Sequence, residues 1–270
     1  MIHIVMALIH EALPLITHYK MKALREKHPF VIYKNEEMTL IVSGIGKSAA
    51  AAAVGYLQAL NRKKGPSAWL NVGIAGHQQL EIGQGFIAHR IQDQANGRTY
   101  YPPQVLPFAL PSSDLITVDC VEKNYSKKSA YDMEAAAYYS AAIRSSTAEF
   151  VQSYKVVSDN PQTPVTKITK AFVNTLIENR IHEIKDLIAT LYAAIKPYRE
   201  IQAPHPQFDT LIQRWHFTET QKVQLKQLLK RAQVLFGAPL PSQVQSTAHT
   251  NAKIFLKTLS NTLATHQLNY

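Results

Sequence analysis

Three short apolar runs, IHIVMALI at 2–9, TLIVSGIG at 39–46 and SAWLNVGIAG at 67–76, cut the first third of the chain into strand-length pieces, two of them ending in glycines. Runs this short and this rich in Ile, Val and Leu are buried strands. Between them lie an amphipathic, Pro-containing stretch, HEALPLITHYKMKAL, and an Ala-rich stretch of strong helix propensity, KSAAAAAVGYLQAL. FIAHRIQD at 86–93 is a fourth strand. Strand and helix alternating at this pace predict an α/β domain whose parallel strands are buried on both faces, with ligands gathering at the carboxyl ends of the strands.

Further along, residues 95–115 hold four prolines and a pair of tyrosines, which predicts a long loop or lid. LITVDCV at 115–121 is expected as a strand, YDMEAAAYYSAAIRSS at 131–146 as a helix, and FVQSYKVVSD at 150–159 as a strand ending in Ser158 and Asp159. Ile177, Ile181, Ile184, Ile188, Leu191 and Ile195 form the apolar stripe of one long amphipathic helix. Pro197, Pro204 and Pro206 then mark a linker, dividing the chain into 1–196 and a helical extension, 197–270. In the extension Thr218 and Gln221 are spaced as a capping box before Leu225, Leu228, Leu229, Ala232 and Leu235. Phe255, Leu256, Leu259 and Leu263 belong to a second helix.

Composition excludes several classes. A single cysteine, Cys120, permits neither an internal disulfide nor a Cys-rich zinc site, and the eleven histidines lack a ligand spacing, so no metal and no cofactor is expected. No stretch approaches the ~20 apolar residues of a membrane span. The opening segment carries His3, His10 and Glu11 in place of a basic flank and cleavage site. A cytoplasmic protein without a membrane partner is the expectation. Of the formal net charge of +10, half lies in residues 201–270, where seven Lys/Arg face two Asp/Glu. That extension could meet nucleic acid or an acidic surface, although a solvated helix face is the simpler account.

Gly44-Ile45-Gly46-Lys47-Ser48 sits at a strand-to-helix turn. A triphosphate-binding loop would need glycine at position 41, which is Ile41. A dinucleotide site would need an acid about twenty residues on, where the chain reads Asn-Arg-Lys-Lys-Gly. What remains is a set of free amide donors at a helix N-terminus, or a tight turn without a ligand. Gly73-Ile74-Ala75-Gly76 ends the next strand and offers a floor where no Cβ blocks close approach. Asp132-Met133-Glu134 suits the start of a helix by charge alone, Ser158-Asp159 could be a plain cap, and Glu11 a surface residue of the first helix.

The order of these pieces carries more than any one of them. Glu11 after the first strand, S-G-I-G-K at 43–47, N-V-G-I-A-G at 71–76, D-M-E-A at 132–135 and V-V-S-D at 156–159 together resemble the nucleoside phosphorylase superfamily. The likeness is greatest to its 5′-methylthioadenosine/S-adenosylhomocysteine nucleosidase branch and covers about residues 1–195. It implies a three-layer α/β/α sandwich around a mixed, partly barrel-like sheet, and cleavage of the N-glycosidic bond of a purine nucleoside. By the same resemblance Glu11 activates water, Asp159 protonates the leaving base with Ser158 placing it, and Glu134 holds the ribose hydroxyls. Met133 packs on the sugar, and Ala75 and Gly76 floor the site. A homo-oligomer, most simply a dimer, is the expected assembly.

This chemistry is self-consistent. Departure of a base leaves a positively charged, oxocarbenium-like sugar and an electron-rich base, so an acid is needed at one end and oriented oxygens at the other. Asp159 must then be protonated and Glu11 ionised. Three features depart from the family pattern: Lys155 stands where an arginine is usual, Ile74 stands where a serine is usual, and the segment between G-I-A-G and D-M-E-A is short. Tyr100, Tyr101 and Tyr131 are candidates to stack on the base, or to pack in the core or a lid. Two alternatives stay open: phosphorolysis, with phosphate held by the Gly44–Lys47 turn and Lys155, and a binding module without turnover that uses the basic extension.

Overall fold

The computed structural model describes residues 1–61, 65–203, 205–237, 240 and 251–267. They form two compact units, Met1–Ile201 and Gln202–Tyr270. Pro204, one of the expected linker prolines, lies outside the described residues.

In chain order the first unit contains β1 (Ile2–Met6), α1 (Ile9–His18), β2 (Lys22–Ala23), β3 (Val31–Lys34), β4 (Met38–Val42), α2 (Lys47–Asn61) and β5 (Ala68–His77). It continues through β6 (Gly85–Asp93), β7 (Thr99–Tyr100), β8 (Ser112–Thr117), β9 (Ala130–Asp132), α3 (Ala135–Ala142), β10 (Val151–Asp159), α4 (Lys170–Glu178) and α5 (Ile181–Gln202). All ten strands belong to one sheet.

The sheet is mixed. β5 pairs in parallel with β1 and with β10, whereas β10–β6, β5–β9, β2–β3 and β3–β4 are antiparallel. The expectation of parallel strands therefore holds for β1, β4, β5 and β10, and only in part for β6, which runs parallel to β8 and antiparallel to β10. Because β5 pairs with both β10 and β9, the strands β5, β10, β6, β8 and β9 close into a ring, the barrel-like part of the sheet.

Alternation along each buried strand feeds two cores. Ile2, Ile4 and Met6 of β1, Leu70 and Val72 of β5, and Tyr154 and Val156 of β10 pack with Leu15, Ile177, Ile184 and Leu191 of α1, α4 and α5. Val5, Trp69, Ala75 and Val157 face the other way, against Ala50, Val54, Ala136 and Tyr138 of α2 and α3. A sheet with helices over both faces is the expected three-layer α/β/α sandwich.

Pro14 lies inside α1 and leaves the His10 carbonyl without its helical donor, which Asn174 Nδ2 replaces from α4 at 3.4 Å. The stripe from Ile177 to Ile195 is split between two helices, because the chain turns at Asn179–Arg180, where Arg180 Nε donates to the Gly83 carbonyl at 2.6 Å. Pro197 does not end α5. Buried Ile195 and the Tyr198 ring, 5.5 Å from that of Phe150, anchor the turns around it, and the helix runs on to Gln202.

The second unit packs α6 (Phe208–Arg214), α7 (Glu219–Phe236) and α8 (Ala252–Gln267) around Leu225, Leu229, Phe255, Leu259 and Leu263. Both bonds of the capping box form, Gln221 N–H to Thr218 Oγ1 at 3.3 Å and Thr218 N–H to Gln221 Oε1 at 3.0 Å. Among the described residues no helix is long and apolar enough to cross a membrane.

Candidate active site

At the carboxyl ends of β1, β5 and β10 a cavity of about 140 Å³ is lined by Glu11, Asp132, Glu134 and Asp159. Ala75, Gly76, Met133 and Ser158 also line it, so every residue to which the resemblance assigns a catalytic or substrate-binding role borders this one hollow, whereas Gly44, Gly46, Lys47 and Lys155 do not line it. Four carboxyl groups drawn from α1, β9, the turn after it and β10 thus share a space the size of a few waters.

Glu11 is placed by the first turn of α1. Its Oε2 accepts the Leu8 N–H at 2.8 Å and its Oε1 accepts the Ile74 N–H of β5 at 3.0 Å. Gly73 leaves it room, since a Cβ there would stand 3.0 Å from Glu11 Oε1 and 3.4 Å from Lys155 Nζ. Burial pushes the Glu11 carboxyl above its ordinary range, opposed by Lys155 and by the N–H groups of Ile74, Leu8 and Ala7. Ile74, where a serine was expected, gives its backbone amide to Glu11 and no hydroxyl.

Lys155 and Asp132 form a fully buried ion pair, Nζ to Oδ2 at 2.9 Å. Asp132 also accepts from Thr117 Oγ1 at 2.7 Å and from the Ala135 N–H at 2.8 Å. These bonds end β9 at Asp132 and start α3 at Ala135, which is why the helix expected from 131 begins later. Burial pulls the Lys155 ammonium down, but Asp132, Glu134 and Glu11 more than offset this and hold it above the ordinary lysine value.

Glu134 faces the glycine turn that precedes α2. Gly44 and Gly46 take φ of 84° and 101°, and the Gly46 N–H donates to Glu134 Oε1 at 2.8 Å. Burial pushes the Glu134 carboxyl up to about 7, against the pull of Lys155. The turn's lysine is occupied elsewhere: Lys47 Nζ lies 2.9 Å from Asp93 and 2.8 Å from Asp119. The two cations suggested as phosphate holders, Lys47 and Lys155, are therefore both paired with carboxylates.

Asp159, at the end of β10, accepts from Ser158 Oγ and from the Tyr125 hydroxyl. Gly76 is required opposite it, because a Cβ there would come within 2.6 Å of Asp159 Oδ2.

Of the tyrosines weighed for base stacking, Tyr131 lines the cavity, whereas Tyr100 packs on Tyr139 at 5.5 Å and Tyr101 is exposed. The expected lid at 95–115 does not line it either. The rim comes from Val118, Val121 and Glu122 after β8 and from Val165 and Ile168 after β10. Sequence reasoning missed Tyr125, which sits in a segment without periodicity, and the Asp132–Lys155 pair. Lys155, a charge in the middle of a buried strand, was the available signal for a buried partner. Among the described residues no group of three or more His, Cys, Asp or Glu side chains is arranged to hold a metal ion.

No family model matches the sequence, and a search by sequence among curated proteins finds no match. Solved structures do match. The apo 5′-methylthioadenosine nucleosidase of Arabidopsis thaliana superposes with a TM-score of 0.59 at 16% identity, over 70% of this chain and 95% of that one. Futalosine hydrolase of Helicobacter pylori gives 0.58 at 15%, covering 70% and 97%. The 5′-methylthioadenosine/S-adenosylhomocysteine nucleosidase of S. pneumoniae, solved with a transition-state inhibitor, gives 0.56 at 19%, covering 72% and 99%. What these likenesses establish for the chain is its fold, which it shares with these nucleosidases and which agrees with the fold expected from the order of its motifs.

Proposed function

We propose that the protein hydrolyses the N-glycosidic bond of a purine-type nucleoside, with Glu11 as the base that activates water and Asp159 as the acid to the leaving base. The observation that carries this reading is the convergence of Glu11, Glu134 and Asp159, far apart in sequence, on one small cavity floored by Ala75 and Gly76. Glu134 is suited to accept from the ribose hydroxyls, with Met133 against the sugar. The nucleosidases and the futalosine hydrolase that share the fold support the same reaction class.

Electrostatics favour water over phosphate. Five carboxyl groups, those of Glu11, Glu122, Asp132, Glu134 and Asp159, line the cavity, and the buried ammonium of Lys155 is paired with Asp132, an environment that favours a positively charged sugar over a phosphate dianion. A phosphorylase would need free cations, and Lys47 and Lys155 are both engaged.

Removing the base tests the assignment. Glu11→Gln keeps the shape of the side chain and cannot take a proton from water. We expect loss of base release by at least about 100-fold, the range of general base catalysis, in an assay of free purine by chromatography. Turnover at the wild-type rate would remove Glu11 from the mechanism.

A further inference from the structure

Asp159 is held by a side chain that does not itself line the cavity. Tyr125, on the loop between β8 and β9, is buried and donates its hydroxyl to Asp159 Oδ2. Its backbone takes φ of 47°, a left-handed conformation that costs energy for a residue with a Cβ. The Glu122 carboxylate stabilises that turn by accepting the N–H groups of Lys123, Asn124 and Tyr125 at 2.9, 2.6 and 3.3 Å. The ring meets Tyr131 edge-on with centroids 6.1 Å apart. On its other side Gly76 leaves it room, since a Cβ there would stand 2.9 Å from Tyr125 Cε1. Burial and the bond to Asp159 hold the phenol's pKa above its ordinary value, so it stays a donor at working pH. A strained turn, an aromatic brace and a missing Cβ thus converge on one hydrogen bond, and that bond ends on the carboxyl group assigned to the leaving base.

We propose that Tyr125 is a positioning residue for departure of the base: its hydroxyl aims Asp159 into the cavity and stabilises the carboxylate that remains once the proton has left. The inference rests on the nucleosidase reading of the site. In the step, Asp159 gives its proton from Oδ1 to a ring nitrogen of the base while the C–N bond breaks and its electron pair stays on the base. Asp159 is left ionised, with the Tyr125 O–H on Oδ2 and the Ser158 O–H on Oδ1. Water adds its oxygen to the anomeric carbon and its proton to Glu11, and solvent returns a proton from Glu11 to Asp159.

A leaving group that needs no acid separates this role from a structural one. Purified full-length Tyr125→Phe is compared with wild type on a purine nucleoside and on 4-nitrophenyl riboside, whose phenolate departs unprotonated. Expected is a drop in kcat on the nucleoside of about 10- to 100-fold, the worth of one hydrogen bond to a charged group, with KM within about twofold. Turnover of the nitrophenyl riboside should stay within about threefold. Glu122→Ala, which releases the turn and leaves the hydroxyl in place, should show the same selectivity in weaker form. Equal losses on both substrates, or no loss on the nucleoside, would overturn the inference while leaving the nucleosidase reading intact. Wild-type protein that cleaves neither substrate would contradict that reading and, with it, the role of Tyr125.

Discussion

Glu134 couples the site to stability. Its folded value of about 7 lies above the ordinary 4.5, so the folded chain binds this proton more tightly than the unfolded one. The stabilising contribution is therefore complete below pH 4.5 and is lost as pH rises through 7. Glu134→Gln, which keeps a neutral side chain at every pH, should gain in melting temperature relative to wild type as pH increases across that window. A difference that does not change between pH 4.5 and pH 7 would argue against the buried, proton-holding state. Gly76 makes a second residue-level case. Its missing Cβ admits Asp159 and Tyr125 together, so Gly76→Ala should leave a folded protein with Asp159 displaced and base release lowered by about 100-fold or more. Folded Gly76→Ala protein with wild-type turnover would show that the carboxyl group need not stand there. Glu11, Glu134 and Asp159 were legible because each sits in a short motif beside a strand end. Tyr125 was not, since a left-handed tyrosine leaves no mark in a sequence that supplies no glycine or periodicity around it. The Asp132–Lys155 pair joins residues brought together only by the sheet.

At the level of elements, apolar runs marked β1, β4, β5, β6 and β10 well, because strands buried on both faces must be apolar throughout. Boundaries were lost where side chains outside the run decide them. Asp132 stops β9 and starts α3, the turn at Arg180 splits one expected helix into α4 and α5, and packing around Pro197 carries α5 five residues past the expected break. Where a local side-chain rule governed the terminus the reading was good, as at Thr218. Thr218→Ala removes one of the two capping bonds of α7 and should cost about 1 kcal/mol. Amide hydrogen exchange in the first turn of that helix should quicken about fivefold, with base release unchanged. Exchange at the wild-type rate would mean the cap does not hold the helix end.

Across the whole molecule, function depends on sheet closure. β5 is shared by the open sheet, through β1, and by the ring, through β10 and β9. That sharing brings Glu11 beside Ile74 and sets Asp159 opposite Gly76. Alternation of strand and helix announced the layers, but not the antiparallel turn of β6 that closes the ring, because register between distant strands is fixed by pairing and not by local pattern. The central claim is that this closed arrangement lets water, and not phosphate, replace the base. The direct measurement is product analysis in phosphate-free buffer with a purine nucleoside. The account predicts free base and reducing sugar in equal amounts, at a rate that added phosphate does not raise. Base release that requires phosphate and yields ribose 1-phosphate, or no release from any nucleoside, would contradict it.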